Sequence, residues 1–302
     1  IETGERKIMI DCGLFQGLKE LRLLNWNFPP IDVKEIDAVL LTHGHLDHTG
    51  YLPLLVKHGF KKTIYGTYPT LDVAKIILSD SAKIQEHEAK RANKEGYSKH
   101  SPAKALHNHK DVEKTIPHFK GVPPGRWIPL FDDIQMRFQY NGHILGATFI
   151  ELDIQGKRFV FSGDIGREND LLLYPPLKPK KAHVLFIEST YGSRIHPDEL
   201  ESVPKIEKLV NDTVSRGGSL FIPSFAVERA QLIMLILWHL VKANKIPKVP
   251  MIMDSPMGSN ILELFHTTRD WHKLSTKEYK DMCSHFDIVS SYRETLEIRD
   301  DE

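Results

Sequence analysis

Short apolar runs and segments of helical spacing take turns along the first half of the chain. "IDAVLLT" is a continuous apolar run of strand length. "HTGYLPLLVKHG" repeats its apolar positions at helical spacing and stops on Gly59, and "KTIYG" is strand-like again. "PTLDVAKIILSDSAKIQEHEAKRANKEG" predicts a long helix with a strongly polar far end. Residues 97–109, rich in His and Lys, read as a loop-like insertion, after which "HKDVEKTIPHF" resumes a helix. Beyond "PPG" at residues 123–125 the period drops to two: "IQMRFQYNGH", "ATFIELDI" and "KRFVFSGD" alternate as strands do, with Gln155-Gly156 as a hairpin turn. A further apolar strand, "AHVLFIEST", follows.

From about Pro204 the order predicted is helix, strand "GSLFIPSF", helix "AVERAQLIMLILWHLVKAN", strand "VPMIMDSP". That is a βαβ unit and implies parallel pairing of its two strands in a separate α/β lobe. At the other end, "IETGERKIMIDCG" reads as two strands around a Gly4 turn, so the chain starts inside a hairpin, and "EIRDDE" adds no closing element. Both ends read as those of a fragment of a longer protein.

Composition narrows the class. A chain of 302 residues, 41% hydrophobic and 26% charged, has enough apolar content for one large or two smaller cores. Lys+Arg equals Asp+Glu at 40 each, so no global field attracts polyanions and any nucleic-acid contact must come from local patches. Cys12 and Cys283 lie far apart with no CxxC pair, which argues for a reducing compartment, the cytoplasm by default, and against thiolate metal sites. The longest apolar run, "LIMLILWHLV", is far short of the roughly 20 residues a membrane span needs.

The chemistry gathers in "VLLTHGHLDHTGYLPLL". The strand delivers His43 and His45 at its carboxyl end, and alternate residues of an extended segment point the same way, so both imidazoles can face one ion. Asp47 and His48 open the next helix, diverge from that pair and suit a second ion. His143, after "FQYNG", and Asp164, ending "RFVFSGD", stand at strand ends flanked by glycine, where backbone can turn closely around an ion. Either alone would read as structural; beside the histidine cluster both are candidate ligands. Asp11, ending "KIMID", can orient a ligand from behind it or serve as an ordinary turn aspartate before Gly13.

These motifs carry a resemblance. "THGHLDH", "GHILGA", "FSGDIG" and "IDCG" resemble the metallo-β-lactamase fold, and "ESTYGSRIH", "IPSFAVERAQ" and "DSPM" resemble its β-CASP branch. Within that branch the chain is similar to the bacterial and archaeal ribonucleases related to the catalytic subunit of the cleavage and polyadenylation specificity factor. The resemblance implies an α/β chain: an αββα metallo-β-lactamase sandwich over residues 1–200 and a β-CASP lobe over residues 201–302, both cut short. It implies two zinc ions, with manganese as the alternative. One is held by His43, His45 and His143, the other by Asp47 and His48, and Asp164 bridges them. A hydroxide between the ions would be the nucleophile, with Asp47 orienting it. Glu188 would orient a proton-donating histidine; that histidine and one further ligand belong to a C-terminal segment absent from this chain.

The second lobe is expected to hold phosphates. Ser224, closing a strand just before a helix, and Arg229 in its first turn form an anion site or a common cap, and Arg194 and His196 of "RIH" are added candidates. The basic tracts "KHGFKK" and "KPKK" are solvated faces or backbone contacts and stay outside the site. The leading expectation is an endo- or 5′-exoribonuclease with RNA as partner, no membrane, and a homodimer as an open assembly state. The alternatives are a DNA nuclease, a small ester or thioester hydrolase of the same fold, and a non-catalytic RNA-processing scaffold.

Overall fold

The apolar runs of the first half become one sheet. In the computed structural model, which describes residues 1–98, 100–195, 201–291 and 293–296, β1 (Glu2–Thr3) turns through Gly4 into β2 (Arg6–Ile10), its antiparallel neighbour. β2, β3 (Ala38–Leu40), β4 (Thr63–Thr67) and β5 (Phe119–Val122) then run parallel in that order. Between the strands lie α1 (Lys19–Leu24), α2 (Leu46–Thr49), α3 (Leu52–Lys57), α4 (Tyr68–Glu95) and α5 (His109–Thr115). The long helix α4 starts because the Thr67 hydroxyl accepts the Thr70 N–H and Pro69 fits its first turn; it stops at Gly96, which takes the left-handed conformation at φ 71°.

A second sheet carries the period-two segments: β6 (Ile128–Phe131), β7 (Ile134–Tyr140), β8 (Thr148–Ile154), β9 (Lys157–Phe161) and β10 (Val184–Phe186). β6 to β9 are successive antiparallel neighbours, and β10 adds to β9 in parallel. Gln155 and Gly156 both have positive φ, 51° and 78°, as the hairpin turn between β8 and β9 requires.

Alternation along β3 explains how the layers stack. Leu40 points to one core with Ile8, Met136, Phe138, Ile150 and Leu152, which joins the two sheets face to face. Val39 and Leu41 point the other way, onto Leu52, Leu55, Phe60 and Leu71 of the helical side. Each such fully buried side chain contributes about 1.5–3 kcal/mol, so these two cores set the register of β3 and with it the position of the residues that follow.

Contacts divide the chain into two units. The first holds both sheets and comprises Ile1–Asn141, Gly146–Ile165 and Leu177–Glu188; the second comprises Gly142–Leu145, Gly166–Pro176 and Ser189–Glu302. The second contains α6 (Ser202–Ser215), α7 (Arg229–Lys242), β11 (Ile252–Asp254), α8 (Pro256–Thr267), α9 (Thr276–Cys283) and β12 (Asp287–Val289). Here the expected βαβ unit is corrected. Residues 219–225 form no strand, and Leu220, Phe221, Ile222 and Phe225 are exposed. β11 does pair in parallel, but with β12. A strand exists only where a partner completes its ladder, and Asp287–Val289 supplies it to β11.

Candidate metal centre

Past β3 the chain continues through Leu41, Thr42 and His43, all buried, before α2 begins with His45 at its N-cap. The extended backbone at His45, φ −61° and ψ 156°, keeps the two alternate imidazoles on one side, and His43 Nε2 stands 3.1 Å from His45 Nδ1. Asp164 arrives from the far end of β9. Gly163, at φ 55°, makes that approach possible: a Cβ there would sit 2.7 Å from the Cβ of Thr42.

Two donor groups result. Ligand atoms of His43, His45, His143 and Asp164 lie within 4.8 Å of one another, and so do those of Asp47, His48 and Asp164. Asp164 belongs to both. Its two oxygens divide accordingly: Oδ2 is 3.9 Å from His43 Nε2, and Oδ1 is 3.3 Å from His48 Nε2. His48 Nε2 is also 3.9 Å from Asp47 Oδ2. A tetrahedral site with bonds of about 2.0–2.2 Å has edges of roughly 3.3–3.6 Å; the 3.1–3.9 Å separations straddle that range, and the His/carboxylate donor set is the kind that catalytic metal sites use.

Asp11 stands behind His48. Its backbone takes the left-handed region at φ 56°, a strained position for a residue other than glycine, and its carboxylate collects three hydrogen bonds there. Oδ1 accepts the Thr42 N–H at 2.7 Å, while Oδ2 accepts the Thr42 hydroxyl at 2.7 Å and lies 2.7 Å from His48 Nδ1. Burial would depress the His48 imidazole, but its hydrogen bonds to Asp11 and Asp164 outweigh that and hold it up to about 10 in the absence of an ion. With Nδ1 committed to Asp11, Nε2 is the nitrogen left for a metal.

Glu188 lies just past β10. Its Oε1 accepts the Ile165 N–H at 2.7 Å, one residue beyond Asp164, and its own N–H donates to Ser162 Oγ at 3.0 Å. Asp11, Thr42, His48, Asp164 and Glu188 line a cavity of about 720 Å³ in the first unit, together with Ile8, Ile10, Phe161 and Phe186.

The phosphate-binding expectations fare differently. Arg229 does open α7, but the residue at the N-cap is Glu228, at φ 70°, and Ser224 is exposed with its hydroxyl 3.4 Å from the Phe225 carbonyl. Ser224 therefore caps nothing: the turn closed by Ala230 N–H to Phe225 O separates it from the helix. Arg194 is exposed after a turn in which its N–H donates to Tyr191 O. His196 lies outside the described residues.

Three supporting residues escaped sequence reasoning. Thr42 touches both Asp11 and His43, its Oγ1 lying 3.1 Å from His43 Nδ1. Buried Asn141 donates through Nδ2 to the carbonyls of Ser162 and Asp164 at 3.0 and 2.8 Å, holding the turn that presents Asp164. Ser162 anchors Glu188. Polarity directly beside a ligand motif was the only available signal, as in "LTHGH" and "YNGH".

Comparison with known proteins identifies the family. The profile of the Metallo-beta-lactamase superfamily matches residues 1–218, and that of the Beta-Casp domain matches residues 230–302. Ribonuclease TTHA0252 of Thermus thermophilus is 36% identical over 87% of this chain and 56% of its own length. Transcription termination factor FttA of Lokiarchaeum is 31% identical over 84% and 39%. Cleavage and polyadenylation specificity factor 73 of Drosophila melanogaster is 30% identical over 88% and 37%. The chain thus spans about half the length, or less, of these curated relatives.

Proposed function

Because the chain belongs to the metallo-β-lactamase superfamily and carries a β-CASP domain, we propose that it is the catalytic part of a metal-dependent phosphodiesterase acting on RNA. The observation that carries this reading is the pair of donor groups sharing Asp164. Its relatives include a protein named a ribonuclease and an RNA-processing factor. Residues 1–200 are read as the hydrolase domain and residues 201–302 as the substrate lobe.

The donor set favours zinc, with manganese as the alternative, because it offers imidazole and carboxylate without thiolate. His43, His45 and His143 would hold one ion, Asp47 and His48 the other, and Asp164 both. When bound, such a pair brings the pKa of a water towards about 7 and offsets charge on a phosphoryl group. The chain's own residues do the rest. Asp11 keeps the proton of His48 on Nδ1, so that Nε2 stays a ligand. Asp47, the exposed member, orients the attacking water. Glu188 braces the turn after Asp164 through the Ile165 N–H. Exposed Arg194, Arg229 and Ser224 are assigned to the phosphates of the substrate, together with His196. The two cysteines are free thiols, which supports a reducing, cytoplasmic setting. Among the described residues no helix is long and apolar enough to cross a membrane.

The test is cleavage of end-labelled RNA and DNA of matched sequence, with zinc or manganese added. RNA should be cut in preference, and a His43→Ala/His45→Ala double variant should lose both metal and at least about 10²-fold in rate. Preference for DNA would remove the RNA reading, and full activity in the double variant would remove the metal centre.

A further inference from the structure

The segment that leaves the metal centre, "LFQGLKELRLLNWNFPPI", exposes an unusual number of large apolar side chains. Its start is docked against α2: Cys12 N–H donates to His48 O and Leu14 N–H to Leu46 O. The helix α1 within it buries no residue. Phe15, Trp26 and Phe28 are 52, 57 and 76% exposed. A patch of this kind marks an interaction surface when it is held in place rather than loose.

It is held. The Asn25 side chain bonds to Phe15 at both its N–H and its carbonyl, at 2.8 and 2.9 Å. The Tyr51 hydroxyl donates to Asn27 O at 2.9 Å. The Phe28 ring lies 4.3 Å from the His58 ring, centroid to centroid. His58 begins the tract "HGFKK", which carries exposed Lys61 and Lys62 three and four residues further along the chain. Burial, and then Lys57, lower the His58 pKa, which favours the uncharged ring.

Exposed rings on a pinned backbone with lysines close by in the chain match single-stranded nucleic-acid sites, where bases stack on aromatics and cations meet the backbone. Protein interfaces differ, because their cores are depleted of lysine. We propose that Phe15, Trp26, Phe28 and His58, with Lys61 and Lys62, form a base-stacking platform for the single-stranded RNA that leads to the metal centre. This rests on the RNA reading above and adds to it a second contact surface, on the hydrolase unit itself.

The experiment is stopped-flow fluorescence anisotropy of a labelled 12-nucleotide oligouridylate with the metal-loaded protein, read before turnover. A Trp26→Ala/Phe28→Ala variant should bind at least about 10-fold more weakly, since each stacked base is worth about 5- to 150-fold. Trp26→Tyr, which keeps a ring, should restore most of the loss, and Lys61→Ala/Lys62→Ala should lower the log–log salt slope by up to about 1.4. Metal content should match the parent in all three. Equal affinity in parent and double variant would overturn the platform and leave the RNA reading standing. A parent that binds no oligonucleotide would overturn both. Loss of a parent dimer in the double variant at unchanged RNA affinity, seen by sedimentation, would assign the surface to a second copy of the chain and overturn the proposal.

Discussion

Asp11 shows how much one side chain behind a ligand can do. It satisfies the Thr42 N–H and hydroxyl and orients His48 through Nδ1, all from a strained backbone position. Asp11→Ala should therefore keep the fold and lower metal affinity about 10- to 100-fold, measured by competition with a chromophoric chelator. A second residue bears on stability. His107 is 1% exposed, and burial lowers its pKa from 6.5 to about 4, with Asp111 opposing and Lys57 adding a little. The folded state then binds fewer protons than the unfolded chain between those values. Stability is thus fully present above pH 6.5 and falls as the pH drops towards 4, by up to about 3 kcal/mol from this group. Urea titrations across that range should show the decline, and His107→Phe should flatten it. A slope identical to the parent's would put the acid sensitivity elsewhere.

Among the elements, turns decide whether the ligands meet. Gly13 passes so close to α2 that a Cβ there would stand 1.5 Å from the Asp47 carbonyl oxygen. Gly13→Ala must push Asp47 and His48 away or unfold the turn, and a loss of at least about 3 kcal/mol is expected because backbone rather than a side chain stands in the way. Chemical denaturation measures the loss, and metal analysis of whatever folds should show the Asp47–His48–Asp164 group emptied first. The other side of the sheet pair is fastened similarly. The Thr67 and Thr70 hydroxyls both reach the Gly146 carbonyl, at 2.7 and 2.6 Å, tying the turn before β8 to the start of α4.

For the chain as a whole, folding and metal binding should be linked. An ion bound only by the native state adds about 2.7 kcal/mol at 100 times its Kd, which corresponds to roughly 5–10 °C in melting temperature for a unit of this size. Calorimetry with and without zinc should show that rise in the transition of the first unit, and His43→Ala/His45→Ala should abolish it. No rise in the parent would mean that the donor groups do not bind zinc in solution. Nothing in the net charge, which is zero, prepares the molecule for a polyanion. If RNA is the substrate, as proposed above, local cations such as Lys61, Lys62, Arg194 and Arg229 would have to do so.

The local signals in the chain were enough for the strands of the two five-stranded sheets, the long helix and the histidine cluster, because each depends on neighbours a few residues away. Period two in β7 and β8, the Gln155-Gly156 turn and the caps of α4 are of this kind, and so is the convergence of His43 and His45 at a strand end. What only the tertiary structure decided are contacts across long stretches of chain. Asp11 meets His48 37 residues on, and Asn141 holds the Asp164 carbonyl from 23 residues away. The same cause explains the failures. "GSLFIPSF" reads as a strand apart from Gly218 and Pro223 yet forms no ladder, while the short "DIV" of β12 becomes the partner of β11. Ser224 loses its cap because a tight turn intervenes. Preference is a property of a segment, but a hydrogen bond needs both of its ends, and only the folded chain determines which second end is within reach.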